Sequence, residues 1–272
     1  YADIVIDATG PAAPIASALD VVDLERENQA IGIEYELEGV ELDHPEYGDL
    51  RRSMMLRLDH DIAPGGYSWV FATGEDSAKV GLCYIQNDRH EEAGESGQTI
   101  DGHLEGWLES DPRFADAERL DGKVHRGSAH IQRPGQMHTD GFIAIGDTVP
   151  TIDPLWGEGI HKGMKSARAA AMTIDRCLTD ADQPTDAESL ALYDQLWHED
   201  VAPRMNSRLL LTELLYLAPN ERYDRLMRDL RRTDDDTLAA VNQGNKRAMA
   251  KLLHLDDLPL LGKYLRKRVA SS

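Results

Sequence analysis

Residues Gly146 to Ala171 read GDTVPTIDPLWGEGIHKGMKSARAAA. An acidic residue follows the short apolar run Gly141-Phe142-Ile143-Ala144-Ile145, a proline-marked loop intervenes, and a glycine-flanked turn enters a helix of small residues. A buried strand ending at Ile145 would bring the chain to the C-terminal edge of a parallel-type sheet, where open α/β folds bind ligands. Gly146 allows close backbone approach, and Asp147 offers a carboxylate suited to the hydroxyls of a sugar or ribityl chain. Pro154 stiffens the loop. Gly157-Glu158-Gly159 lets backbone N–H groups at a helix start face a flat ligand, and the helix dipole adds about half a positive charge there. Gly163, Ser166, Ala167 and Ala170 let the helix of Gly159 to Leu178 lie close against a sheet. The same spacing also fits a helix start with flexible glycines and no ligand.

Working outward, Ile4-Val5-Ile6 is an apolar β-branched run ending in Asp7-Ala8-Thr9-Gly10-Pro11, the pattern of a buried strand meeting a tight turn. The chain opens inside this strand without Met, and no G-x-G-x-x-G occurs in it, so the expectation is a fragment. Pro11 to Asn28 reads as a loop with a helical turn. Period-2 alternation then predicts strands at Ile31 to Leu42 and Ser53 to Ile62. Ser68 to Thr73 and Ala78 to Ile85 follow as two more, joined by a hairpin loop at Gly74 to Ser77. Four strands with short links imply an antiparallel sheet. Ile100 to Glu109 has helical spacing and Gly122 to Gln132 is strand-like. Beyond Asp186 helices are predicted over Ala187 to His198, Met205 to Leu217, Arg222 to Arg232, Thr237 to Leu253 and Pro259 to Val269, with Pro203, Pro219 and Pro259 between them.

The order strand and turn, sheet, strand-loop-helix, helices predicts an α/β fold in which an antiparallel sheet is inserted into one α/β unit. The expected pieces are 1–28 and 140–185 for the α/β domain, 29–139 for the inserted sheet and 186–272 for a helical region.

The 272 residues carry a formal charge of −20, with 21 Arg but only 8 Lys. So acidic a surface repels nucleic acid and disfavours a DNA or RNA reader. The acid-rich, Lys-poor composition reads as halophilic adaptation, since concentrated salt shortens the Debye length and screens self-repulsion. Cys83 and Cys177 are too few for a disulfide framework or a thiolate metal site, so no metal is expected and the compartment expected is the cytoplasm. No window reaches the roughly 18 apolar residues of a spanning helix. The basic tail Lys263 to Arg268 reads first as a solvated helix end, with peripheral contact to anionic lipid as the alternative.

Three motifs in order carry a family resemblance. The Gly146-Asp147 stretch is similar to the second flavin-binding motif of FAD oxidoreductases with the para-hydroxybenzoate hydroxylase-like fold. Asp3 to Gly10 resembles an earlier turn of the same cofactor domain. PGGYSWVF, Pro64 to Phe71, resembles the P-x-x-Y-x-W-x-F signature of geranylgeranyl reductases, with Gly81 downstream. Two positions depart from the pattern: Ala72 stands where a proline usually follows, and Cys83 where a second glycine does.

The resemblance implies a Rossmann-type FAD domain, incomplete at its N-terminus, with Asp7, Gly10, Gly146, Asp147, Pro154, Gly157, Glu158, Gly159 and Ile160 at the cofactor. Asp147 would meet the ribityl chain, and Gly157 to Ile160 would lie under the isoalloxazine. Tyr67, Trp69 and Phe71 would wall a substrate tunnel between sheet and flavin domain; alternatively, as i, i+2 and i+4 residues of one strand, they are simply core. The implied activity is saturation of C=C bonds in geranylgeranyl chains of lipids, with electron donor and proton donor unidentified. The rivals are a flavin monooxygenase or halogenase, a cluster-free relative of electron-transfer flavoprotein dehydrogenases, and a non-catalytic remnant or half of a split flavoprotein. His161 reads as a solvated or neutral side chain, Glu158 as a response to the helix dipole, and Asp153 as a turn former.

Overall fold

The computed structural model describes residues 2–86, 98–179 and 184–262, in two compact units. The predicted helix over Pro259 to Val269 falls largely, and the basic tail Lys263 to Arg268 wholly, outside the described residues. One unit is drawn from Tyr1–Asn28, Ala129–Leu215 and Arg232–Ser272, the other from Gln29–Ser128 and Tyr216–Arg231. The mixed α/β character, the antiparallel sheet and the helical C-terminal region agree with the sequence.

In the first unit, β1 (Val5–Asp7) pairs in parallel with β10 (Phe142–Ala144), which in turn pairs antiparallel with β9 (His138–Thr139). Phe142, Ile143 and Ala144 are all buried, as a strand covered on both faces requires. The helix Ile160–Thr179 turns Ala169, Ala170, Thr173 and Cys177 inward, in the i, i+3, i+4 rhythm of one helical face. Its small residues share a core with Phe142 to Ala144 and with Leu190, Tyr193 and Trp197 from the C-terminal helices. Tyr193 donates from its hydroxyl to the Ala144 carbonyl at 2.9 Å, so this large ring enters the core with its polar end satisfied.

The second unit is a five-stranded sheet ordered β5-β6-β7-β2-β8, with β2 Gln29–Glu38, β5 Met54–Arg57, β6 Gly66–Ala72, β7 Ser77–Ile85 and β8 Glu118–His130. β5 with β6, β6 with β7 and β7 with β2 are antiparallel. A separate two-stranded ribbon joins β3 (Asp43–His44) to β4 (Gly48–Asp49). One face of the large sheet, through Ile33, Tyr35, Val70, Val80, Leu82 and Tyr84, shares a core with Leu104 and Trp107 of the helix Ile100–Ser110.

Several boundaries move for identifiable reasons. The strand predicted to Leu42 ends at Glu38, because Gly39 has φ 76° and a Cβ there would lie 2.6 Å from the Asp116 carbonyl oxygen. The strand predicted to Ile62 stops at Arg57, because Asp59 gathers a turn: Oδ2 accepts from Arg57, Oδ1 from the Asp61 amide, and its carbonyl from the Ala63 amide. The helix predicted from Thr237 to Leu253 is two, Asp235–Asn242 and Lys246–Ala250. Gly244, with φ 75°, ends the first, and the Asn245 side chain caps the second at the Arg247 and Ala248 amides. Ala187 to His198 likewise divides, into Ala187–Leu190, Leu192–Leu196 and a π-helical turn Trp197–Val201.

Candidate functional site

The parallel register sets Asp7 opposite Ala144, so the Asp7–Gly10 turn and the Gly146–Thr148 turn leave the same end of the β1–β10 pair. Gly10, at φ 84°, donates its amide to Thr148 Oγ1 at 3.0 Å and fastens one turn to the other. Gly146, at φ 59°, donates to Ser166 Oγ at 2.9 Å, while Thr151 Oγ1 donates to the Gly146 carbonyl at 2.6 Å. Ser166 thus ties the helix of small residues to the Gly-Asp turn.

Asp7 and Asp147 have different tasks. Asp7 is 1% exposed, and its carboxylate is taken inside the chain. Oδ1 accepts from the Thr9 amide at 2.9 Å and the Thr9 hydroxyl at 2.6 Å, and Oδ2 accepts from the Ala16 amide at 2.9 Å. A group so enclosed shapes the turn. Asp147 is half-buried and accepts no hydrogen bond among the described residues. Burial raises its carboxyl above the ordinary carboxylate value. A Cβ built on Gly159 would lie 3.4 Å from both Asp147 oxygens, so the Gly-Asp turn and the second glycine turn meet at this carboxylate.

The rest of the predicted set is divided by burial. Pro154 is buried, Gly159 half-buried, and Gly157, Glu158, Ile160 and His161 are exposed, Ile160 at 85%. Gly157 has φ 69°, a conformation that favours glycine. Asp153, expected to form a turn, does so: its Oδ1 accepts from the Leu155 and Trp156 amides. It also pairs with Lys162 and Arg208, two residues that the sequence reading passed over. Lys162 follows the glycine turn closely, but nothing in the sequence connects Arg208 to it.

In the second unit, β6 separates its residues by face. Ser68 and Val70 are fully buried, whereas Tyr67, Trp69 and Phe71 are partly exposed on the opposite side and lie outside the core. The bland reading of the three rings as core therefore does not hold. Tyr67 and Trp69 have centroids 5.8 Å apart, and Trp69 and Phe71 are stacked at 6.1 Å. Pairing places Leu56 beside Trp69 and Met54 beside Phe71, and both are exposed, so the row of rings has an aliphatic border on β5. Across β7 the partner of Trp69 is Gly81, where a Cβ would fall 2.5 Å from the indole ring and 2.4 Å from the Ile33 carbonyl oxygen. The indole lies over this glycine, and its Nε1 donates to Glu34 Oε2 at 2.9 Å. Trp69 is held in place by the absence of one side chain and the reach of another.

On the opposite, core face of the sheet, Arg113 braces strand β5. Arg113 is 1% exposed; its Nε and Nη2 donate to Asp111 at 2.9 and 2.6 Å. Its guanidinium lies 4.1 Å from the Tyr47 ring centroid, and Nη1 approaches Met55 Sδ at 3.1 Å, on strand β5. Among the described residues no group of three or more His, Cys, Asp or Glu could hold a metal ion, and no helix is long and apolar enough to cross a membrane.

Solved structures identify the fold to which this arrangement belongs. A geranylgeranyl bacteriochlorophyll reductase-like protein from Thermoplasma acidophilum aligns with a TM-score of 0.68 at 22% identity, over 83% of this chain and 53% of that one. A flavin-dependent brominase aligns with a TM-score of 0.64 at 18% identity, over 98% of this chain and 64% of that one. Sequence narrows the class. Residues 30–115 match the family model of the geranylgeranyl reductase catalytic domain. A digeranylgeranylglycerophospholipid reductase of Haloferax volcanii is 64% identical over 261 residues, 96% of this chain. By both comparisons the chain is similar to the geranylgeranyl reductase family. It spans 64% of the length of the Haloferax relative.

Proposed function

We propose that the protein is an FAD-dependent reductase that saturates C=C bonds in the isoprenoid chains of a glycerophospholipid. The observation that carries this reading is the row Tyr67, Trp69 and Phe71, turned away from the core within the segment that matches the reductase catalytic domain. A continuous ring surface bordered by Leu56 and Met54 suits a long, flexible hydrocarbon chain: it binds by area and excludes water without demanding particular hydrogen bonds.

Toward the cofactor, Asp147 is the residue suited to a hydroxylated chain. It is half-buried, raised in pKa and unspent, so a hydroxyl donor would relieve its desolvation. Gly157 and Gly159 leave room for a flat ring system, and the first turn of the helix Ile160–Thr179 offers amides and a positive dipole end to any electron density on it. When bound, reduced flavin would supply a hydride to one alkene carbon, with a proton reaching the other. An isolated alkene accepts hydride poorly, so the ring row contributes by fixing the chain in a dry, aligned position. Asp7 and Thr148 contribute by holding the two turns at fixed separation.

The test uses the full-length gene product. Reduced anaerobically and mixed with a digeranylgeranylglycerophospholipid, it should reoxidise while the lipid gains mass in steps of two hydrogens. Reoxidation only when oxygen is admitted, with an oxygenated product, would overturn the reading in favour of a monooxygenase. The Asp147→Ala variant should retain flavin about tenfold less well, the scale of one hydrogen bond to a charged group, while its melting temperature stays close to wild type. Flavin content equal to wild type after gel filtration would remove Asp147 from the site.

A further inference from the structure

The loop from Asp153 to Gly159 is anchored by a cluster of buried charges. Asp153 Oδ2 accepts from Lys162 Nζ at 3.1 Å, and Oδ1 accepts from Arg208 Nη2 at 2.5 Å. Asp153 is 5% and Lys162 7% exposed, and Arg208 is nearly as enclosed. Desolvation pushes the Asp153 carboxyl up, but the Arg208 hydrogen bond and the two cationic charges outweigh it, so the net direction is down; desolvation lowers the Lys162 ammonium. The same Asp153 organises the loop backbone. Its Oδ1 accepts the Leu155 and Trp156 amides, its carbonyl accepts the Gly157 amide at 2.9 Å, and its own amide donates to the Glu158 carbonyl at 2.8 Å. Trp156 Nε1 donates to Asn242 Oδ1 at 2.8 Å, a second tether in mid-loop.

Three charges removed from water are costly, and well-packed apolar residues would stabilise a core as well or better. What the cluster provides is geometry. A bent loop with two glycines has many conformations open to it, and a carboxylate fixed by two cations and accepting two loop amides selects one.

We infer that Lys162 and Arg208 are positioning residues for the proposed reaction: through Asp153 they hold the loop in the shape that presents Gly157 to Ile160 to the cofactor. The inference rests on the flavoprotein reading above. It assigns a role to Arg208, which lies 55 residues from Asp153 along the chain.

Two measurements on the full-length gene product test it. Amide hydrogen exchange without cofactor should show Leu155, Trp156 and Gly157 exchanging about tenfold faster in Lys162→Met than in wild type, while the strand Phe142–Ala144 keeps its protection. FAD titration should then show affinity lowered about tenfold in Lys162→Met and largely restored in Lys162→Arg. If Lys162→Met does not fold, Arg208→Gln carries the same two expectations. Loop exchange that is unchanged, or that rises equally throughout the unit, overturns the inference. So does a loosened loop with wild-type FAD affinity, which would mean that the cluster serves the fold alone. A wild-type protein that takes up no FAD is a different failure: it sinks the flavoprotein reading, and the positioning role with it.

Discussion

Replacing Trp69 by Ala is expected to lower kcat/KM for a long-chain isoprenoid lipid by about ten- to a hundredfold, the scale of a buried aromatic anchor, while bound flavin stays at the wild-type level. The substitution removes the middle ring of the row, so Tyr67 and Phe71 each lose their ring contact, and it leaves Glu34 Oε2 without its indole donor. Trp69→Phe should recover most of the activity, because ring area is kept and only the Nε1 bond is lost. Steady-state kinetics with lipid, read beside flavin absorbance, make the comparison. Equal loss of lipid turnover and of flavin would show instead that the substitution had disordered the protein. Gly81 matters to this result as well. It is the residue whose missing Cβ the indole occupies, so the ring's position depends on both partners of the Trp69–Gly81 pair.

The larger effect on stability is expected at Asp111. Asp111→Ala leaves the Arg113 guanidinium buried without its carboxylate, and removal of one partner from a buried pair costs about 3–5 kcal/mol. The same carboxylate accepts Trp107 Nε1 at 3.1 Å and the Arg113 amide at 3.1 Å, so the substitution strands these donors as well. Denaturant unfolding should report the loss. The pH dependence follows from the shift at this group. Desolvation pushes the Asp111 carboxyl up, but hydrogen bonds and charge from Arg113 outweigh it and hold the carboxyl below its ordinary value. A depressed folded-state pKa gives stability that is complete above the unfolded value of about 4 and is lost as pH falls through the folded value. Wild type should therefore lose stability more steeply on acidification than Asp111→Ala does. Parallel acid-unfolding profiles would contradict this assignment.

Legibility in the sequence followed the range of the interactions. Strands and helices set by local period were readable: Met205–Leu217 and the sheet strands β6 and β7 lie within two residues of their predicted limits. The order of motifs also carried the family resemblance. What could not be read depends on contacts distant in sequence. The end of β2 is dictated by the Asp116 carbonyl crowding Gly39, and no alternation of residues at 31 to 42 reports it. The helix Asn220–Leu230 was predicted as one more C-terminal helix, yet it clusters with the sheet unit, through Asn220 and Tyr223 bonded to His60. Asp7 and Asp147 look alike as acids after short apolar runs. Only the structure shows that the first is consumed by Thr9 and Ala16 and the second is not. For Tyr67, Trp69 and Phe71 the spacing fixed a common face but not which face, since both sides of a strand have period 2.

Strand β6 has one further property, which concerns what changes this gene can tolerate. At Gly66 a Cβ would fall 1.8 Å from the Cys83 carbonyl oxygen, and at Gly81 it would strike the Trp69 ring. These two points, one on each strand of the β6–β7 pair, lock the pair like a key with two teeth. Loss or gain of a single codon between Ser68 and Phe71 would put the two ends of β6 out of step, so that residues on one side of the change exchange faces and the two teeth can no longer engage together. Codon insertions in the Thr73–Asp76 turn leave both teeth engaged, so length variation among homologous genes should collect there and spare the strand.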